Sequence, residues 1–204
     1  MTAAVLPLES AFARRPPPGD LAIWVFILAE LLVFGVFFAA YAFTRAKHIE
    51  LFNAMQTTLD RDAGALNTVL LLAASWCVAR AVAAIKQVEF AGDRQAARGS
   101  ANFLMGGMLC GVGFLVVKLY EYQAKFALGI NLTTNDFYMF YLSLTFFHFM
   151  HVILGLVILA AVWHKTRAGG YSAADHHGME TGASYWHMVD LVWVILFPLV
   201  YVVR

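Results

Sequence analysis

Charge is scarce in this chain: 13% of its residues are Asp, Glu, Lys or Arg, where a soluble domain carries roughly 25%. That scarcity, with 61% hydrophobic residues and a mean hydropathy of +0.70, excludes water as the main solvent. An excess of one sign is also lacking. The formal charge of +1 gives no field for a nucleic acid, and no basic arm or charged tail is present. Cysteine is nearly absent. Cys77 and Cys110 both fall within apolar runs, which reads as small helix- or lipid-facing residues and not as a disulfide or metal pair. No apolar core or small-residue cleavage pattern precedes the first long apolar run, so a signal peptide is not expected and the first helix should direct insertion. No internal repeat stands out, which withholds support from an inverted-repeat transporter.

What is present is a series of long apolar runs. Their lengths predict five membrane-spanning helices at about 21–43, 65–85, 101–122, 137–163 and 185–203, each long enough for a hydrocarbon core of about 30 Å. The predicted fold is an all-α integral membrane bundle of five helices, a membrane domain over 21–204 after an N-terminal segment over 1–20. Asp20 can cap the first helix. The stretch before the second span, with Asp60, Arg61 and Asp62, reads as an amphipathic polar loop. Lys and Arg in the loops favour the side holding Arg14, Arg15, Lys86, Arg94, Arg98, Lys165 and Arg167 over the side holding Arg45, Lys47, Arg61, Lys125 and Arg204. The positive-inside rule then puts the N-terminus in the cytoplasm and the C-terminus outside. Trp24, Tyr41, Tyr122, Trp163, Tyr185 and Tyr201 fit interfacial belts, and several can equally pack between helices.

Ionisable groups inside the spans are Glu30, Arg80, Lys118, Glu121, His148, His151, His187 and Asp190, each costly unless it faces other helices or water. A rise of 1.5 Å per residue places Glu30 about 12 Å and Arg80 about 8 Å below the cytoplasmic surface on antiparallel neighbours, where they could pair. With Asp190, His187 and His151 they gather five of the eight groups into the cytoplasmic half. Lys118 and Glu121, three residues apart near the outer end, can pair or snorkel. His148, His151 and Gly155 share one face of the fourth span, with Gly155 permitting close helix approach, and His187 and Asp190 repeat the three-residue step on the fifth.

A hydrogen-bonded network of Glu30, Arg80, His148, His151, His187 and Asp190 satisfies these groups without a cofactor. The competing reading is b-type haem ligation by His151 and His187, whose depths are poorly matched at about 7 Å apart. A metal site is similarly weak, because no clear carboxylate or thiolate set completes His148 and His151. A proton relay through Glu30 and the histidines lacks a continuous path. His164, His176 and His177 lie in or beside a loop, where solvated polar residues are the default.

The same residues carry a family pattern. The closing run HHGMETGASYWHMVDLVWVILFPLVY resembles the ending HHxGxExxxxYWHxVDxVW of cytochrome c oxidase subunit III, with one residue fewer after the paired histidines. Glu180, Tyr185, Trp186, His187, Asp190 and Trp193 keep their order and spacing. TFFHFMHVILG resembles the family's TxFHxxHVxxG through Thr145, His148, His151, Val152 and Gly155. Weaker matches are WVFILAELLVFGVFF around Glu30, LNTVLLLAAS from Leu66, and Glu121-Tyr122.

The resemblance implies a bundle like the last five of the family's seven helices, the first two being absent, and so leaves in doubt the enclosed phospholipid cleft of the long form. Glu30 matches the family's buried, carbodiimide-reactive carboxylate. The implied function is a non-catalytic subunit with no catalytic, cofactor or metal residues of its own. Haem is expected only in a partner catalytic subunit, and phospholipid can bind. The lead FYMFYLSLT and the start PGDLAIWVFILAE look most like a five-helix branch associated with nitric oxide reductase. The expected partner is therefore the catalytic subunit of nitric oxide reductase, in a bacterial inner membrane, with assembly, lipid binding and stability as the roles. Subunit III of a terminal cytochrome c or quinol oxidase is the alternative. A b-haem membrane cytochrome or a proton or small-solute carrier is the alternative of another class.

Overall fold

The computed structural model describes residues 19–203, so the segment 1–18 and Arg204 lie outside the described residues. Among the described residues five helices are long and apolar enough to cross a membrane: α1 (Leu21–Lys47), α3 (Arg61–Ile85), α4 (Arg94–Ala127), α5 (Asp136–Arg167) and α6 (His177–Phe197). The last runs on into a π-helical turn, Pro198–Val202. Among the described residues there is no strand.

Each long helix outruns the apolar stretch that announces it. α4 starts at Arg94, not near Ala101, because the Asp93 side chain accepts from the amides of Gln95 and Ala96 and caps a first turn that opens with Arg94 and Gln95. α6 begins at His177, not near Tyr185, taking the paired-histidine region into its first turns. Hydropathy marks the part of a helix that lies in hydrocarbon, whereas caps mark the helix itself. Asp20, Asp60 and Asn135 cap α1, α3 and α5 in the same way. The stretch expected as an amphipathic loop contains a short helix, α2 (Ile49–Gln56), which tucks Phe52 and Gln56 inward. Gln56 donates to the carbonyl of Val200 at 3.0 Å, giving a carbonyl in the π-helical turn a partner.

Odd numbers of crossings place the ends of the bundle on two faces. The first face holds the starts of α1, α4 and α6 and the ends of α3 and α5; the second holds the opposite ends. The Asp20 amide donates to Thr181, and the amides of Gly92 and Ala173 donate to the carbonyls of Gly169 and Val88, which ties the loops of the first face together. On the second face Thr58 meets the Tyr138 hydroxyl at 2.7 Å, and Lys125 donates to the Thr58 carbonyl at 2.6 Å.

The core is aromatic. Tyr41, Phe52, Phe114, Phe137, Tyr141, Tyr185, Trp186, Trp193 and Tyr201 are fully enclosed. Tyr41, Tyr122, Tyr185 and Tyr201 therefore pack between helices, while Trp24 and Trp163 are half-exposed near the first face. Trp186 is seated by two glycines. A Cβ on Gly111 would lie 2.7 Å, and one on Gly155 2.9 Å, from its ring, so α4 and α5 can close on the indole only where both lack a side chain. Cys77 and Cys110 are free thiols.

Candidate functional site

Seven of the eight ionisable residues expected inside the spans, all but Arg80, fall into four separate groups. Nearest the second face, Lys118 on α4 is completely enclosed and gives Nζ to Glu121 Oε2 at 2.9 Å. Tyr141 of α5 and Tyr201 of the π-helical turn each donate to Glu121 Oε1 at 2.7 Å, and Lys118 also donates to Tyr201. The pair does not snorkel. Both charges are neutralised and hydrogen-bonded in place, the arrangement that makes a buried ion pair tolerable. Beside it Tyr122 donates to Thr145 at 3.0 Å, and Thr145 to the carbonyl of Tyr141.

At mid-depth, His148 on α5 sits in an aromatic box, 5.2 Å from Trp193 and 5.6 Å from Phe114 between ring centroids. Neither ring nitrogen has a hydrogen-bond partner. Trp193 itself donates to Thr68 of α3 at 3.0 Å.

Towards the first face, Glu30 of α1 meets His151 of α5, Oε2 to Nε2 at 3.1 Å, while His151 Nδ1 lies 2.8 Å from the carbonyl of Phe147. Tyr185 donates to the His151 carbonyl at 3.4 Å. In a separate group, His187 Nδ1 contacts Ser75 Oγ at 2.5 Å, one helical turn from the buried Asp190, whose Oδ1 has no hydrogen-bond partner. Arg80 takes no part. It is exposed, with its guanidinium 5.6 Å from the Phe103 ring centre, so the pairing with Glu30 gives way to His151. The single six-residue network also resolves into separate contacts. His148 faces α6 through Trp193, His151 faces α1, and His187 faces α3.

Glu180, picked out in the sequence only as a motif position, is a junction at the first face. Lys86 approaches its carboxylate at 2.8 Å and His176 at 3.3 Å, with His177 at 4.0 Å. Lys165, in the last turn of α5, lies 4.3 Å from the centre of the ring of Tyr171 in the loop ahead of α6. Burial, and then the charge of Asp175, hold the Tyr171 hydroxyl above the usual phenol range.

Ser75, Thr68, Tyr141 and Phe114 complete these groups and carry no sequence signal except that polar or aromatic residues stand at helical spacing from the charged ones, whereas Tyr201 was read as an interfacial or packing tyrosine. Lys86 was readable only as a loop charge. Among the described residues no three His, Cys, Asp or Glu side chains come together to hold a metal ion. Two of the three membrane histidines have hydrogen-bond partners and the third is boxed by rings. Outside these groups, an apolar trough of about 840 Å³ opens between α1, α4 and α5, lined by Phe37, Leu119, Tyr122, Phe126, Phe146 and Phe147 among others.

A five-span helical bundle that holds Lys118 with Glu121, Glu30 with His151 and His187 with Ser75 in contacts of its own is an integral membrane protein. Residues 19–203 match the family model for cytochrome c oxidase subunit III, and the chain belongs to that family. It is 35% identical over 183 residues to cytochrome c oxidase subunit 3 of Thermostichus vulcanus, covering 89% of this chain and 86% of that one. It is 34% identical to the protein of the same name from Synechocystis, covering 87% and 72%. A stretch of a much longer chain, the heme-copper oxidase subunit I+III of Aeropyrum pernix, is 26% identical over 191 residues, which is 89% of this chain and 22% of that one.

Proposed function

We propose that the chain is the non-catalytic subunit III of a haem-copper terminal oxidase. It packs beside the haem-bearing catalytic subunit and supports assembly, lipid retention and stability during turnover. The observation that carries this reading is the unbroken family match along 19–203. That match includes every group of buried polar residues. The Aeropyrum pernix relative, named for subunits I and III together in one chain, supports subunit I as the neighbour. The chain itself holds no haem and no metal in this reading. In support, His151 has both ring nitrogens engaged, His187 is turned to Ser75, and His148 is enclosed by rings. The apolar trough between α1, α4 and α5 supports lipid retention.

The protein sits in the bacterial inner membrane with the first face in the cytoplasm, a placement supported by the excess of Lys and Arg there. Nitric oxide reductase is a second reading, favoured by the tyrosine-rich lead FYMFYLSLT into α5 and the start of α1. The related proteins described above bear oxidase names, so the oxidase takes precedence. Affinity purification of the tagged chain from membranes of aerobic and denitrifying cells decides between them. Recovery of an oxidase catalytic subunit supports the proposal, and recovery of a nitric oxide reductase subunit alone replaces the partner.

A further inference from the structure

Arg80 is the ionisable side chain of the spans that turns away from the bundle. Glu30 is taken by His151, Glu121 by Lys118, and Asp190 is buried, so among the described residues Arg80 has no ion pair. It stands five residues before the end of α3 at Ile85, about 8 Å beneath the first face. A long cation at such a depth ordinarily snorkels to the headgroups. The direction of α3 opposes that. Side chains on a helix lean towards its N-terminus, and α3 begins at the second face, so Arg80 leans into the hydrocarbon. Its guanidinium rests 5.6 Å from the centre of the Phe103 ring. The same ring packs against Trp76, 6.0 Å away between centroids and one turn deeper on α3 than Arg80. The charge is thus held level with rings of the span, where lipid tails offer it no partner.

The surface around it suits another helix. Val69, Leu72, Trp76 and Ala83 are exposed and share one side of α3 with Arg80. Trp76 supplies a large ring of the kind that anchors interfaces, and Ala83 lets a neighbouring backbone come close beside the charge. Charge and depth select the occupant. A lipid phosphate lies in the headgroup layer, above a guanidinium that leans downward. A second copy has no carboxylate to offer from its spans, since Glu30, Glu121 and Asp190 are engaged or enclosed within its own bundle. A membrane helix of another protein, carrying an acidic side chain, meets both requirements.

We propose that this face of α3 docks a transmembrane helix of the catalytic subunit that carries a carboxylate at the depth of Phe103, with Trp76 packed on that helix and Arg80 paired to the carboxylate. The inference rests on the reading of the chain as a subunit of a haem-copper oxidase and names the surface through which it binds.

The test is photo-crosslinking of the tagged full-length chain in its own membranes, with benzoylphenylalanine placed at Trp76 or at Val36, which is exposed on α1. The probe at Trp76 should crosslink the catalytic subunit and the probe at Val36 should not. Arg80→Glu should lower the catalytic subunit recovered with the chain by at least about tenfold, Arg80→Gln by less and Arg80→Lys by least. Placing a Lys at the partner carboxylate that the crosslinked peptide reveals should restore recovery of Arg80→Glu. If Arg80→Glu does not fold, the crosslink, made with Arg80 in place, carries the test. Crosslinking from Trp76 to lipid alone or to a second copy, equal crosslinking from Val36, or undiminished recovery with folded Arg80→Glu would overturn the proposal. Failure of the subunit reading shows separately: the unaltered chain then recovers no catalytic subunit, whereas failure of this proposal alone leaves that recovery intact.

Discussion

α1 and α6 cross in the same direction and touch, yet they are opposites. α1 is the most apolar of the five spans and buries 11% of its most apolar stretch; α6 is the least apolar and buries 56%. In water the order would be reversed. Lipid tails are as apolar as leucine, so an apolar side chain gains little by turning inward. Polar and aromatic side chains with hydrogen-bonding tips gain much, because hydrocarbon offers them no partner. Hence α6 carries Trp186, His187, Asp190 and Trp193 into the centre, while α1 contributes Glu30 and a few large rings and leaves Leu21, Leu28 and Leu32 facing outward.

If that contrast is right, the largest effect lies where buried charge is held by aromatic hydroxyls. Lys118→Met leaves Glu121 buried against two tyrosines with no cation, and should destabilise the bundle by about 3–5 kcal/mol. Thermal or detergent unfolding followed by circular dichroism reads this. Lys118→Met combined with Glu121→Leu should recover much of the loss, since a matched apolar pair leaves no lone charge. Next comes the seat of Trp186. Gly155→Leu puts a side chain where the indole lies and should cost about 1–3 kcal/mol by overpacking, with a shift in tryptophan fluorescence.

The α1 contact should cost less. Glu30→Gln keeps the shape of the half-buried pair with His151, and interhelical polar contacts average about 0.6 kcal/mol in membranes. Little unfolding change is expected, and the initial turnover rate of the assembled partner should stay nearly unchanged in an oxygen-uptake assay. Abolished turnover with assembly intact would instead put Glu30 on the chemical path. Smallest of all, Leu28→Ala on the outer side of α1 should shift stability by less than about 0.5 kcal/mol. A loss comparable to that of Lys118→Met would erase the contrast between the two helices.

The spans were legible because hydropathy over about twenty residues is nearly a direct reading of bilayer thickness. Helix ends were not, since Asp93 and the polar turn after it belong to the helix but not to the hydrocarbon. α2 was missed because eight residues with an amphipathic face look like a loop beside twenty-residue apolar runs. Among polar residues the sequence identified the charged members, because an ionisable group in a span is conspicuous. It could not assign their partners. Glu30 and Arg80 share a depth, but rotation about the helix axis turns Arg80 outward and brings His151 to Glu30. Tyr201 was ambiguous for a related reason, as a tyrosine near a span end suits an interface as well as a buried carboxylate.

The central claim is partnership with a haem-copper catalytic subunit, and one measurement reaches it directly: purification of the tagged full-length chain from its own membranes, with a visible spectrum of the eluate. The account predicts co-elution of a haem-bearing catalytic subunit, with all Soret absorbance lost when the isolated chain is separated from it. A Soret band that stays with the isolated chain and disappears on replacing His151 or His187, or an eluate without any catalytic subunit, would contradict it.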